Sequence, residues 1–234
     1  MTPNNNLSVL PFYESPQYQD YKKSYAYGDV YPLFTPINKL LPFQIIRPTR
    51  ANSIAWVRIY DYKLTRILAD ITTMMKETGL QIVRFANYGY DVIVYPGLLP
   101  LSLDLSEGRY MIAISDGAQT FYSDVFTWIS GGMDGYLCIE WSDAANMEVD
   151  GGQIVYEGVQ FKNRVYVCAE LGKPEYKFEE EGEERDGYFF QEKQISEKTF
   201  RFIFLAPEYL CDVMRLIRMS DFVTVYSQGR KYDC

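Results

Sequence analysis

Histidine is absent from the whole 234-residue chain. That removes the usual general base near neutral pH and the commonest metal ligand. Triad hydrolysis, zinc hydrolysis and His-relayed proton transfer are therefore poorly served. Basic charge is also short, with 23 Lys and Arg against 31 Asp and Glu and a net charge of −8. A nucleic-acid partner needs a basic face, so none is expected. No apolar run approaches the roughly 20 residues that span a bilayer as a helix, and no membrane partner is expected. The opening Met1-Thr2-Pro3-Asn4-Asn5-Asn6-Leu7 has neither a basic n-region nor an apolar h-region. It reads as no secretory signal, so the protein is expected to stay where it is made unless lysis releases it.

Cysteine is sparse and scattered. Cys138, Cys168, Cys211 and Cys234 form no C-x-x-C pair. With no His to complete a mixed zinc site, neither a metal site nor a disulfide framework is expected. Cys138 and Cys168 fall in strand-like runs and Cys211 in a helical one, so all three read as small buried hydrophobes. The glycine motifs of phosphate loops, dinucleotide sites and nucleophile elbows are missing too. No cofactor and no enzymatic activity are expected.

What the chain does have is rings: 21 Tyr and 14 Phe. Such residues suit pleated, half-buried strands and interfaces between chains. Strand-like runs recur along the sequence, at Phe43–Ile46, Ile54–Tyr60, Leu80–Phe85, Asp91–Tyr95, Arg109–Ser115, Val125–Ile129, Tyr136–Trp141, Arg164–Ala169, Thr199–Phe204 and Phe222–Tyr226. Asp116-Gly117 between Ser115 and Gln119 tolerates positive φ and marks a hairpin. Only two helices are predicted. Asp70 can cap a short one over 71–78 that Gly79 ends. Pro207 opens another near 207–218, with Leu210, Val213, Met214 and Ile217 as its buried stripe. The predicted fold is mainly β, an immunoglobulin-like β-sandwich or sandwiches with one or two short helices and an extended N-terminal arm.

Three regions are expected: an arm over 1–30, a β-sandwich over 31–130, and a second β-rich domain over 131–234. Gly131-Gly132 and Asp134-Gly135 supply the boundary. Prolines break any ladder in the arm, yet it is rich in aromatics, including Phe12, Tyr13, Tyr18 and Tyr21. It can pack on its own domain or dock on a neighbouring copy. In the second case, deleting residues 2–30 weakens self-association and leaves the sandwich folded.

The run Glu179-Glu180-Glu181-Gly182-Glu183-Glu184-Arg185-Asp186-Gly187 invites a metal reading, but it lacks the ligand spacing of a calcium loop. It is expected to be a solvated loop joining two strands. Glu180, Glu181, Glu183, Glu184 and Arg185 are its candidates for ion pairs with a neighbouring subunit. Trp56, Trp128 and Trp141 could stack on sugars, but all lie in strand-like runs, where a core position is the simpler expectation.

From Lys173 to Asp221 the chain carries a family likeness. Phe178 through Gly187, then Gln194-Ile195-Ser196-Glu197-Lys198, then Ala206-Pro207-Glu208-Tyr209-Leu210-Cys211-Asp212, resemble tail-region proteins of phages and prophages from Bacteroidales gut bacteria. Gly108-Arg109-Tyr110 and Tyr122-Ser123-Asp124-Val125-Phe126 are similar to them as well. The resemblance implies a virion component of the neck, tail or baseplate, assembled in the host cytoplasm. Its partners would be copies of itself, in a ring or sleeve, and adjacent tail or neck proteins. A carbohydrate- or host-receptor-binding module of a phage tail is the alternative.

Overall fold

The structure is a computed structural model that describes residues 9–16, 33–49, 53–77, 79–85, 89–97, 100–142, 147–148, 154–155, 161–205 and 208–234. In the first half the strands are β1 (Phe12–Tyr13), β2 (Leu33–Pro36), β3 (Phe43–Pro48), β4 (Trp56–Asp61), β5 (Ile67–Asp70), β6 (Gln81–Phe85), β7 (Tyr90–Tyr95), β8 (Gly108–Ser115), β9 (Thr120–Ser123) and β10 (Phe126–Ile129). Helix α1 (Thr72–Glu77) lies between β5 and β6. The second half holds β11 (Tyr136–Ser142), β12 (Met147–Glu148), β13 (Ile154–Val155), β14 (Asn163–Cys168), β15 (Glu175–Arg185), β16 (Tyr188–Thr199), β17 (Phe222–Ser227) and β18 (Arg230–Asp233). Helix α2 (Glu208–Met219) precedes β17. The fold is mainly β, as the sequence predicts.

Seven strands form the largest sheet, built around β8. Its eight residues are long enough to pair with β4, β9 and β10, all antiparallel. The Asp116-Gly117 turn forms as predicted, with Gly117 at φ 86°. Asp116 Oδ1 accepts the amides of Ala118 and Gln119 at 3.0 and 2.8 Å, which satisfies the turn's own donors. A parallel pair, β10 with β2, extends this sheet.

A three-stranded sheet in the order β3-β7-β6 shares its core. Phe43 and Ile45 of β3 and Ile93 and Tyr95 of β7 join Val57, Ile59, Ile112 and Ile114 of the larger sheet in one buried cluster. Burying this much apolar surface is the main driving term for the fold. Strand β7 is covered on both faces: Val92 and Val94 pack with Phe161 in a second, smaller cluster. That is why its apolar run hardly alternates.

Helix α1 begins and ends as its sequence signals predict. Thr72 N donates to Asp70 Oδ1 at 3.1 Å. Gly79 turns left-handed at φ 97°, and Leu80 N donates back to Met75 O at 2.9 Å. The second half is organised around a four-stranded sheet, β14-β11-β17-β18. Leu137, Ile139, Val165, Val167 and Val225 face the same core as Leu210, Val213 and Ile217 of α2. The predicted stripe of α2 is thus the packed one, with Met214 half-buried against it.

Two expectations need correction here. Cys168 and Cys211 are exposed rather than buried, and Cys138 is half-buried. Cys168 ends β14 on the sheet face opposite buried Val165 and Val167, and Cys211 follows Leu210 by one residue, about 100° round the helix. Of the run expected as a strand over Thr199–Phe204, all but Thr199 lies beyond the last residue of β16. Phe202 and Phe204 nevertheless pack on the core while Ile203 is 92% exposed.

Candidate interaction surface

β15 and β16 form a hairpin that is a sheet of its own. Asp186 at φ 52° and Gly187 at φ 80° supply its two-residue turn between paired Arg185 and Tyr188. Two positive φ values match the twist of antiparallel strands. Every residue of β15 is exposed. Eleven residues at about 3.3 Å each make an arm of about 35 Å. The ladder slips between Glu181 and Gly182, whose partners are Lys193 and Gln191, so Glu192 is an extra residue on β16.

The sequence-predicted Glu180, Glu181, Glu183, Glu184 and Arg185 all lie on this arm. They occupy a strand, not the loop that was expected. Neither face of β15 is covered, so beyond Phe178 no apolar alternation reports it as a strand. Local pairs hold the side chains. Arg185 Nε donates to Glu183 Oε2 at 2.9 Å, and Gln194 Nε2 to Glu180 Oε1 at 3.4 Å. At the base, Arg201 meets Glu175 at 3.0 Å, and Lys198 Nζ lies 5.6 Å from the Tyr176 ring centre. Pairs this exposed contribute little stability.

Sequence reasoning missed the arm's apolar content. Tyr176, Phe178 and Tyr188 are 57%, 65% and 73% exposed. At about 200 Å² per ring residue, Tyr176 and Phe178 present about 240 Å² on one face near the base, while Tyr188, opposite Arg185, lies at the tip on the other face. The Tyr176–Phe178 patch is about a third of what one partner contributes to a standard interface. The available signal was the spacing of Tyr176 and Phe178 two residues apart, next to the charge run.

The N-terminal candidates behave differently. Phe12 is 1% exposed, and its ring centre lies 4.7 Å from that of Phe43. β1 pairs with β9, setting Phe12 against Ser123 and Tyr13 against Tyr122. Burial, with Asp124 nearby, pushes the Tyr13 phenol well above its ordinary range. Phe12 therefore stitches the chain to its own sheet and is not available to a neighbour. Deleting residues 2–30 would remove buried Val9 and Leu10 with it, so the sandwich would not survive that deletion intact. Tyr18 and Tyr21 lie outside the described residues.

Two polar clusters complete the inventory. Arg47 of β3, Asp91 of β7 and Asp116 of the β8–β9 turn are all at most 1% exposed. Arg47 Nη1 donates to Asp116 Oδ2 at 2.8 Å, and Arg47 lies 3.7 Å from Asp91. The cluster closes one end of the inter-sheet core. On the face of the second sheet opposite Leu137 and Ile139, Arg164 Nε donates to Glu140 Oε1 at 2.6 Å, beside Cys138, Tyr166 and Tyr226. Burial pushes the Cys138 thiol up to about 11, so it stays protonated and is a poor nucleophile. Burial also raises the Tyr166 phenol, with Cys138 as a further cause. Both clusters are tethers between strands.

Among the described residues, no group of three His, Cys, Asp or Glu could hold a metal ion. Trp128 is fully buried, its Nε1 donating to Lys39 O at 2.7 Å, and Trp141 is 5% exposed. Trp56 has the Arg58 guanidinium 4.5 Å from its ring centre. No family model, curated protein or solved structure matches the chain.

Proposed function

We propose that this protein is a structural subunit that associates with copies of itself and joins neighbouring components of a particle. The β15–β16 arm carries this reading. A lone two-stranded hairpin is marginally stable in water, and this one exposes three large rings. Such an arm is completed by contact with another surface. A virion protein of a phage neck, tail or baseplate, assembled in the host cytoplasm and set in a ring or sleeve, fits that physics and the resemblance around the arm. Its work is packing rather than turnover.

The test compares the full chain with a variant whose residues 176–198 are replaced by a short Gly-Asn turn. Native mass spectrometry and electron microscopy should show multimers for the full chain and loss of them for the variant. Circular dichroism should show the same folded body in both. A full chain that stays monomeric at high concentration would overturn the proposal.

A further inference from the structure

We infer that the outer edge of β16 pairs antiparallel with β16 of a second copy, across a two-fold axis at Ile195. This rests on the self-association proposed above and names the surface and its occupant. The hairpin has two outer edges, and among the described residues neither is paired. Unpaired edges are templates for another strand. The described side chains of β16 from Lys193 to Thr199 are exposed, apart from half-buried Ile195.

Charge separates the two edges. β15 carries six glutamates against Lys177 and Arg185, so pairing it with another β15 sets glutamate against glutamate. β16 carries as many basic as acidic residues, and their order is self-complementary. With Ile195 opposite Ile195 of the second copy, Gln194 falls opposite Ser196, and Lys193 falls opposite Glu197, twice over. In the sequence, Glu192 and Lys198 extend the same pattern by one step each way. Opposite charges directly across an antiparallel pair attract, and like charges repel. Parallel pairing in register would set every charge against its own kind. A second copy of this chain therefore fits the edge.

The resulting order is β15-β16-β16-β15. It turns a marginal hairpin into a four-stranded sheet. The acidic β15 strands end up three spacings apart, about 14 Å. That exceeds the Debye length of about 8 Å at physiological salt. The bulge at Glu192 limits the uninterrupted ladder to 193–197. The contact is isologous and closes at two copies, which leaves β15 and the Tyr188 tip for other components.

The test is a charge-swap pair read by sedimentation velocity and native mass spectrometry. Alone, K193E sets glutamate against Glu197, and E197K sets lysine against Lys193. Each should weaken the two-fold contact by on the order of tenfold. Mixed in equal amounts, the two should form a heterodimer as tight as the wild-type pair. Separately, I195C with Cys168, Cys211 and Cys234 changed to Ser should oxidise to a covalent dimer, since the two 195 positions face each other. Three outcomes overturn the inference while leaving self-association standing: K193E associating as wild type, the mixture failing to recover, or I195C failing to cross-link. A monomeric wild type would sink both readings.

Discussion

Replacing Arg47 by Met removes a guanidinium from between two buried carboxylates while keeping a similar side-chain length. Asp91 and Asp116 are 0% and 1% exposed, so neither can turn to water for the lost partner. Breaking a buried pair from one side costs about 3–5 kcal/mol, because the remaining charge is left desolvated. The hydrogen bond from Arg47 to Asp116 at 2.8 Å is charge-assisted, and such bonds contribute about 1.5–3 kcal/mol. For a chain of this size, each kcal/mol moves the melting temperature by about 2–4 °C. R47M should therefore melt roughly 6–20 °C below wild type. In urea its midpoint should fall with an unchanged slope. The triple variant R47M/D91N/D116N removes all three charges and should recover most of the loss, since apolar or neutral replacement of a whole buried cluster is often nearly neutral. An R47M protein within about 1 kcal/mol of wild type would refute the view that this cluster holds the end of the core. So would a triple variant less stable than the single one.

Thiol labelling at pH 8 should modify exposed Cys168 and Cys211 first and Cys138 last, because the Cys138 thiol is held up to about 11; rapid Cys138 labelling in folded protein, mapped by mass spectrometry, would contradict the burial argument. D70A removes the acceptor for Thr72 at the start of α1 and should cost about 1 kcal/mol at neutral pH, read by urea denaturation. The Asp70 carboxyl is held below its usual range, chiefly by the Thr72 hydroxyl. Its contribution is therefore present above the ordinary carboxylate pKa and is lost as the pH falls through the depressed value, so wild type and D70A should converge in acid. G97A forces a Cβ to within 3.1 Å of Leu40 O at φ 67° and should destabilise the body; G187A meets no neighbour but strains the hairpin turn at φ 80°, so it should impair association with little change in melting temperature. Equal melting losses from the two glycine changes would show that the arm is not energetically separate.

The parts legible in the sequence are those set by neighbours along the chain. Asp116-Gly117 marks its turn because the left-handed φ of 86° at position 117 suits glycine, and the Asp116 carboxylate accepts the amides that follow. Asp70 and Gly79 bracket α1 because orphaned helix-end groups need partners within a turn. The stripe of α2 is readable because its one buried face repeats every 3.6 residues. The exposed arm was misread for the complementary reason. Alternation in a strand records burial of one face, and β15 buries neither, so its glutamates look like those of a loop.

Composition alone determined that the chain is rich in rings, short of basic charge and without the imidazole most hydrolytic sites use. Local patterning determined a mainly β architecture and the two helices seen among the described residues. Only the tertiary structure decided that Phe12 belongs to its own sheet. It alone placed Arg47 against Asp116, 69 residues away, and made the acidic run a projecting strand. The physical reason is common to all three. Whether a ring or a charge is buried depends on what folds back over it from elsewhere in the chain.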